Sequence, residues 1–214
     1  MKRMSPVVGD YLGTTSDAMR LIRRAMDMND DVECALFVGD TFFGLDGERL
    51  EFTGCRFERC TFEQMHINRL SFTDCEFVNC DLPGVRFEKC GLVRVAMKGC
   101  RLTGADFVDA ALMHVLFDEC MMQYVAMSEC KWRKVQFTGC ELANAVMRAL
   151  DMANVEFDRC KLRASEWGDV SLAGLDLSNC DIEGMNASVD VLRGTMIGVD
   201  QLMELARIVG VKIG

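Results

Sequence analysis

Large apolar residues recur at every fifth position along most of this chain. The series starts at Phe52, continues through Phe57, Phe62 and Ile67, and keeps its register as far as Ile197. A helix repeats every 3.6 residues and a strand every two, so neither produces this spacing. A period of five that holds over roughly 150 residues predicts a larger unit, which turns a corner once per repeat.

Two further columns accompany the large residues. The position two places before each large residue is small or modest in size, as in Cys55, Cys60, Cys75, Cys80, Val85, Cys90, Val95, Cys100, Ala105, Ala110, Val115 and Cys120. The position two places after it is rich in residues that tolerate a positive φ, namely Gly54, Gly84, Gly99, Gly104, Gly139, Gly174, Gly184, Gly194, Asn79, Asn144, Asn154 and Asn179. Such residues suit the third position of a type II turn, and Pro83 followed by Gly84 fits the same turn phase.

The number of sides follows from the spacing at which residues of one kind repeat. A spacing of twenty gives uniform columns, one of them Cys60, Cys80, Cys100, Cys120, Cys140, Cys160 and Cys180, another Phe57, Phe77, Phe117, Phe137 and Phe157 with Met97 between. A spacing of fifteen mixes cysteine, leucine and valine. The sequence therefore predicts coils with four sides of five residues, stacked about 4.8 Å apart into a rod.

These motifs resemble the pentapeptide-repeat family, whose loose pattern is a small residue, a polar residue, Leu or Phe, and two variable residues. The pattern is met in Cys80-Asp81-Leu82, Ala105-Asp106-Phe107, Cys140-Glu141-Leu142 and Cys180-Asp181-Ile182. The resemblance covers about residues 50–199. It implies an all-β solenoid, a right-handed quadrilateral parallel β-helix of pentapeptide repeats.

Residues 1–49 do not repeat cleanly and are predicted to form an N-terminal cap. Ser16 is expected to cap a helix over residues 17–28 that covers the open end of the solenoid. A partner-binding or membrane-surface helix is the alternative. Phe37 and Phe42 are already in register, so a degenerate first coil is expected near residue 35, with Gly47 breaking the pattern.

Residues 200–214 differ again from the repeats. Asp200 is expected to cap a short helix that ends before Gly210. This segment resembles the ending of the quinolone-resistance (Qnr) branch of the family, and the resemblance implies a homodimer formed across the C-terminal end. The predicted dimer interface is Leu202, Met203, Leu205, Ala206, Val209, Val211 and Ile213. An end cap on a monomer is the alternative.

Twelve cysteines raise the question of disulfides or zinc. Eleven of them share the inward phase, Cys34 lies outside it, and no Cys-x-x-Cys pair occurs. Reduced, buried packing residues are therefore predicted. No signal peptide or long apolar run is recognisable, so a cytoplasmic location without membrane contact is expected.

Catalytic chemistry has little support in the sequence. His66 and His114 lie far apart at outward phases and are expected to be solvated. No Ser-His-Asp grouping, metal-spaced cluster or phosphate-binding loop is present, so the prediction is a non-enzymatic protein without cofactor or metal. An enzyme or ligand carrier that uses residues 1–49 remains an alternative.

The charge distribution bears on the partner. The formal net charge is −9, of which −5 falls in residues 135–214, so direct nucleic acid binding is not expected. The Qnr resemblance implies instead a type II topoisomerase, DNA gyrase or topoisomerase IV, bound by an acidic rod that mimics DNA and that modulates the enzyme or protects it from quinolone-type inhibitors. A generic interaction scaffold with an unrelated cytoplasmic partner is the alternative.

The candidate partner-binding residues are acidic and fall into two sets on the four-sided arrangement. The first set shares one face and the second is expected on the next: Asp118, Glu119, Glu156, Asp158 and Asp176, then Asp106, Asp109, Glu129, Glu166 and Asp169. They could equally be the ordinary solvated positions of a solenoid. Two features depart from the Qnr pattern. No loop interrupts the repeats, and a basic cluster, Lys131, Arg133 and Lys134, lies mid-rod.

Overall fold

The computed structural model describes residues 3–9, 13–14 and 17–211, and the backbone winds into coils of four sides. We number the sides, here called faces, in the order in which the chain visits them. Arg56–Glu58 lies on face 1, Thr61–Glu63 on face 2, His66–Ile67 on face 3 and Leu70–Thr73 on face 4. Faces 1 and 3 are therefore opposite each other, as are faces 2 and 4. All strand pairs are parallel, and the predicted β-solenoid is confirmed.

Each face is a stack of short strands, numbered β1 to β25 along the chain. Face 1 has eight strands: β1 Gly13–Thr14, β3 Ala35–Val38, β7 Arg56–Glu58, β11 Glu76–Val78, β14 Ala96–Lys98, β17 Leu116–Asp118, β20 Gln136–Thr138 and β23 Glu156–Asp158. Face 4 has seven: β2 Val32–Glu33, β6 Leu50–Thr53, β10 Leu70–Thr73, β13 Gly91–Val93, β16 Ala111–Met113, β19 Lys131–Arg133 and β22 Asp151–Ala153.

The other two faces are built from smaller sheets. Face 3 has the pair β5 Asp46–Gly47 and β9 His66–Ile67, and then six strands: β12 Arg86–Glu88, β15 Asp106–Val108, β18 Ala126–Ser128, β21 Val146–Arg148, β24 Glu166–Gly168 and β25 Asn186–Ala187. Face 2 has β4 Thr41–Phe43 and β8 Thr61–Glu63, followed by single bridges that link Thr61, Asp81, Arg101, Met121, Glu141, Lys161 and Asp181.

The register between coils is twenty residues, so equal side chains stack inside the rod. Phe57 pairs with Phe77, and their rings lie 4.6 Å apart and nearly parallel. The rings of Phe137 and Phe157 are 4.8 Å apart with an interplanar angle of 3°. All eleven inward cysteines are buried and free of disulfides, as predicted, and Cys34 is exposed.

The corners use the positive φ that the sequence predicts. Gly84, which follows Pro83, has φ 60°, and Asn79 has φ 53°. Asn179 does not adopt a positive φ, and its side-chain amide instead donates to Asp158 over 2.7 Å. Several longer side chains occupy the same left-handed corners, among them Glu119 and Glu129.

Helix α1, Ala18–Met28, closes the N-terminal end of the rod. Its cap is Asp17, whose side chain accepts the Arg20 amide over 3.0 Å, whereas the predicted cap Ser16 lies outside the described residues. Ala18, Ile22 and Ala25 are buried against the first coil. This burial agrees with the predicted lid.

The first coil begins at β2, and Gly47 takes the place of a large residue in it. A Cβ at Gly47 would lie only 2.6 Å from the terminal methyl group of Met26, which belongs to α1. The helix therefore supplies the side chain that the repeat lacks at this position.

The C-terminal end has more helix than the sequence predicts. Helix α2, Val189–Leu192, is capped by Ser188 and replaces the face 4 strand of the last coil. A 3₁₀ turn, Val199–Gln201, leads into α3, Leu202–Ile208, and Gly210 follows with φ 77°. The predicted cap Asp200 lies within the 3₁₀ turn, which begins after Gly198, so that assignment was wrong.

Candidate partner-binding surface

The first acidic set lies together on the C-terminal half of face 1. Asp118 is in β17, Glu156 and Asp158 are in β23, Glu119 is at the corner after β17, and Asp176 lies in the following coil. All five are at least partly exposed. The twenty-residue period predicts this grouping, because the period alone determines which face a residue occupies.

The second set lies on the opposite side of the rod. Asp106 and Glu166 are in the face 3 strands β15 and β24, and Asp109, Glu129 and Asp169 are at the corner that follows face 3. The expectation that this set occupies the neighbouring face was wrong, because face 2 on one side and face 4 on the other separate it from face 1. No flat partner surface can contact both sets together.

Stacked ion pairs cover much of the rod outside the C-terminal half of face 1. Residues twenty apart lie above one another, and this places Arg94 on Asp74, Arg101 on Asp81 and Lys161 on Glu141. On face 3, Arg148 pairs with Glu166 over 3.2 Å. Such pairs spread opposite charges along the surface.

The N-terminal half of face 1 is also neutralised within itself. Arg56 contacts Glu58 at 2.7 Å and Glu76 at 3.4 Å, and Lys98 lies 3.6 Å from Glu76. Further along the rod, the face 1 strands β17, β20 and β23 contain no lysine or arginine. Acidic charge is therefore concentrated on face 1 from Leu116 onward.

Hydrogen bonds order several carboxylates of this acidic half. Asp158 accepts the Asn179 amide over 2.7 Å and contacts Arg159 at 3.1 Å. Asp176 accepts the Ser178 main-chain N–H over 2.9 Å, and hydrogen bonds from Ser178, side chain and main chain, lower the pKa of Asp176. The lowered pKa favours the ionised form of Asp176.

The basic cluster lies mainly beside this surface. Lys131 and Arg133 belong to β19 on face 4, where Arg133 bonds to Asp151, and Lys134 occupies the corner between faces 4 and 1. The acidic half of face 1 thus borders a basic edge.

The repeats of this rod also occur in known proteins. Residues 70–147 match the family described as a pentapeptide repeat region. This part of the chain is a pentapeptide-repeat region. Its five-residue sides and corner turns are those repeats. No curated protein matches this chain in sequence.

Solved structures of low sequence identity resemble the chain to different degrees. A trypsin-treated form of QnrB1, a plasmid-mediated fluoroquinolone resistance protein, is 19% identical with a TM-score of 0.57, over 95% of this chain and 98% of that one. A second trypsin-treated form of QnrB1 gives 16% identity and a TM-score of 0.43 over 86% of this chain and 100% of that one. HetL is a pentapeptide repeat protein of the cyanobacterium Nostoc sp. that is involved in heterocyst differentiation regulation. It is 12% identical with a TM-score of 0.34, over 78% of this chain and 86% of that one. Only the first of these likenesses supports an argument, and it concerns the fold.

The C-terminal helix α3 has two different sides. Leu205 and Ile208 help to line a cavity of about 110 Å³ beneath α3, together with Leu177 and Met185 of the last coil. The side of α3 that carries Leu202 and Met203 is exposed, as are Val199, Val209 and Val211. Of the predicted interface, Leu205 and Ala206 are thus half-buried in the end of the rod, and Ile213 lies outside the described residues.

The two histidines of the repeat region differ in environment. His66 is exposed, as expected. His114 is only 8% exposed, because residues 3–9 lie over it, and its Nδ1 accepts the Met4 N–H over 2.9 Å. The expectation of a solvated His114 was therefore wrong. Nothing in a five-residue pattern could indicate this long-range contact.

Neither a metal site nor a membrane-spanning helix emerges from the described residues. Within residues 3–9, 13–14 and 17–211, no three His, Cys, Asp or Glu side chains are grouped so as to hold a metal ion. No helix in that same part of the chain is long and apolar enough to cross a membrane. Burial raises the pKa of the Cys130 thiol to about 11, which keeps it protonated at neutral pH.

Proposed function

We propose that this chain is a non-enzymatic DNA mimic that binds a type II topoisomerase, DNA gyrase or topoisomerase IV, through the acidic half of face 1. It modulates that enzyme or protects it from quinolone-type inhibitors. The partner-binding residues are Asp118, Glu119, Glu156, Asp158 and Asp176. The set on face 3 is not part of the same contact.

The spacing of charge along face 1 is the observation that carries the proposal. Five carboxylates lie between the coil of Phe117 and that of Leu177, which are three coil spacings apart. At about 4.8 Å per coil this distance is roughly 14 Å, and the charges are grouped as two in the coil of Phe117, two in that of Phe157 and one in that of Leu177, an average of about one per 3 Å of axis. A single strand of DNA carries about one phosphate per 3.4 Å. A cleft that binds the DNA backbone would meet a similar average density of anions here.

The fold supports the same partner class. The likeness to QnrB1, whose description is a fluoroquinolone resistance protein, extends over 95% of this chain. The repeat motifs and the C-terminal segment also resemble the Qnr branch, which implies a topoisomerase partner. Continuous repeats without a loop leave the faces of the rod as the contact surface.

A supercoiling assay tests the proposal directly. Purified gyrase is titrated with this protein, with and without a fluoroquinolone, at fixed low salt because charge-based binding is screened by salt. Inhibition of supercoiling, or rescue from the drug, at low micromolar protein is expected. No effect in either arm with a cognate gyrase would contradict the topoisomerase assignment.

Charge reversal on the two opposite faces identifies the contact surface. The test variant carries Asp118→Lys, Glu119→Lys and Asp158→Lys and is expected to lose its effect on gyrase. The matched control carries Asp106→Lys, Glu129→Lys and Glu166→Lys on face 3. It changes the net charge equally and also combines two strand positions with one corner position.

The control variant is expected to retain its effect on gyrase. Circular dichroism and thermal unfolding check that both variants are folded. Equal loss of activity in the two variants would show that net charge, and not face 1, determines binding.

We further propose that the chain is a homodimer through the exposed side of α3. Val199 is 83% exposed and lies near Leu202 and Met203, so this end of the rod presents a contiguous apolar surface. Sedimentation velocity is expected to give a dimer for the natural chain and a monomer for Leu202→Glu combined with Met203→Glu. A natural chain that sediments as a monomer at tens of micromolar would exclude the dimer.

The second candidate function is an interaction scaffold for an unrelated protein. The basic edge formed by Lys131 and Lys134 favours it, because a cleft that binds DNA would repel these side chains. Under this alternative, Lys131→Glu with Lys134→Glu weakens partner binding. Under the topoisomerase proposal the same variant strengthens it.

A further inference from the structure

Residues 3–9 run along the outside of the rod, and we call them the strap. The strap follows the corner between faces 4 and 1, where Asp74, Arg94, His114 and Lys134 lie twenty residues apart. The Met4 N–H donates to His114 Nδ1 over 2.9 Å, and the Val7 N–H donates to Asp74 Oδ1 over 3.0 Å. The strap thus spans the coils between Asp74 and His114.

Side-chain burial accounts for only part of the docking of the strap, in which Arg3, Pro6 and Val8 are half-buried. The side chains of Met4 and Val7 are 53% and 72% exposed. Two main-chain hydrogen bonds, from Met4 and Val7, connect the strap to the rod among the described residues, and a typical hydrogen bond contributes about 1 kcal/mol net. An attachment of this strength can be reversed by a change at one acceptor.

His114 is the acceptor whose chemistry can change. A neutral imidazole accepts a hydrogen bond at its unprotonated nitrogen, whereas both nitrogens of a protonated ring are donors. The ring must therefore be neutral, with Nδ1 unprotonated, to accept the Met4 N–H. Protonation of the ring would place its Nδ1–H against the Met4 N–H, and two donors cannot form a hydrogen bond with each other.

The charged groups around His114 also oppose its protonation. Arg3 faces it from the strap, Arg94 from the preceding coil and Lys134 from the following coil. Burial, with smaller contributions from these three cations, lowers the pKa of His114. Arg94 is itself bound to Asp74, which also accepts the Val7 N–H.

We propose that the strap is a pH-released cover of the corner between faces 4 and 1, docked while His114 is neutral and released when His114 is protonated. The docked strap also places the Arg3 guanidinium where it interacts with Asp118 on face 1. Release therefore removes a positive charge from the neighbourhood of Asp118 on the acidic half of that face. The strap itself does not depend on the identity of the partner.

The direction of the pH effect follows from linkage. The docked form binds a proton at His114 more weakly than the released form does. Docking is therefore fully favourable above the ordinary histidine pKa of about 6.5 and is weakened as the pH falls below it. At pH 5.5 protonation of the released form shifts the equilibrium between the docked and released strap roughly tenfold toward release, provided that the docked ring stays neutral.

Amide hydrogen exchange, followed by NMR on the full chain, tests the proposal. Protection factors, which correct for the intrinsic pH dependence of exchange, are measured for Met4 at pH 7.5 and pH 5.5. A fall of about tenfold is expected. The amides of Gly13 and His114, which donate to the Cys34 and Arg133 carbonyls, report on the coils and should keep their protection.

Two variants at one position separate the role of the acceptor from that of the fold. His114→Asn offers an amide oxygen near the position of Nδ1, accepts the positive φ of this corner and does not titrate, so Met4 should stay protected at both pH values. His114→Gly suits the same φ and has no acceptor, so Met4 should be unprotected at both. Natural protein with equal Met4 protection at the two pH values, or with none at pH 7.5, would overturn the proposal. Loss of protection in His114→Asn at pH 5.5 would overturn it as well.

A reciprocal measurement uses the pKa of His114 itself. Met4→Pro removes the N–H that donates to the ring, so the pKa of His114, followed by its ring proton shifts, is expected to rise toward about 6.5. An unchanged His114 titration in this variant would show that the strap is not linked to the protonation of the ring.

Discussion

Gln201 seals the C-terminal end of the rod, and its replacement by methionine should be costly. Its side chain is buried, and its Nε2 donates to the Leu177 carbonyl over 2.9 Å and to the Cys180 carbonyl over 2.6 Å. Its Oε1 accepts the Gly198 N–H over 2.7 Å. In earlier coils the carbonyl that corresponds to Cys180 accepts a main-chain N–H twenty-one residues later, as Cys160 does from Asp181. The Gln201 side chain takes the place of that missing coil.

The expected cost follows from these three hydrogen bonds. Methionine keeps the length and volume of the side chain but leaves the two carbonyls and the Gly198 N–H without a partner. At about 1 kcal/mol net for each bond, Gln201→Met should lower the free energy of unfolding by about 3 kcal/mol. The matched control is Gln123→Met on face 2, where a half-buried glutamine accepts one hydroxyl hydrogen bond, from Thr103 over 3.3 Å. We expect less than about 0.5 kcal/mol there.

Equilibrium unfolding in urea, followed by circular dichroism, measures both variants. Protein concentration must be the same throughout, because a dimer would make stability depend on it. If Gln201→Met costs no more free energy of unfolding than Gln123→Met, the Gln201 side chain does not replace the missing coil.

Three further predictions concern the repeats. Ala164→Gly should stabilise the chain by about 0.5–1 kcal/mol, and Gly104→Ala should destabilise it by a similar amount, as measured by unfolding in urea. Both sites have a positive φ, and the Cβ added at position 104 meets no atom within 4 Å, so the backbone conformation alone determines the effect. Shifts of the same sign in the two variants would contradict this. A thiol reagent should titrate one cysteine, Cys34, in the folded protein and twelve after unfolding, and more than one fast thiol would contradict the buried columns. Ser165 accepts the Trp167 indole N–H over 2.9 Å, so Ser165→Ala should cost about 1–3 kcal/mol in the natural chain and clearly less in Trp167→Phe, as measured by a double-mutant cycle; equal costs would exclude the coupling.

Most of the fold could be predicted because the inward positions are fixed by local periodicity. Phe57, Phe77 and Phe137 stack as the twenty-residue column indicates, and Gly84 adopts the positive φ that its turn position requires. The same period places each outward residue on a face. Which faces are opposite each other depends in addition on the order in which the chain visits them. That order makes faces 1 and 3 opposite.

The ends of the rod could not be predicted in the same way, because their contacts are not periodic. Met26 fills the space left by Gly47, and the two residues belong to different elements. Gln201, and not Asp200, donates to the free carbonyls of the last coil, because it is the Gln201 side chain that points inward from the 3₁₀ turn. The strap on His114 is a contact over 110 residues, which no local signal shows.

The outward charges of a solenoid are constrained only by their neighbours above and below, so the arrangement of like charges is informative. Opposite charges stack wherever Arg94 follows Asp74 or Arg101 follows Asp81. On the acidic half of face 1, Glu156 and Asp176 lie twenty residues apart, and like charges on adjacent strands are destabilising. The fold tolerates this pair because the main chain and side chain of Ser178 donate to the Asp176 carboxylate and stabilise its charge. The acidic half of face 1 therefore combines stacked like charges with hydrogen bonds that hold one of them as an anion.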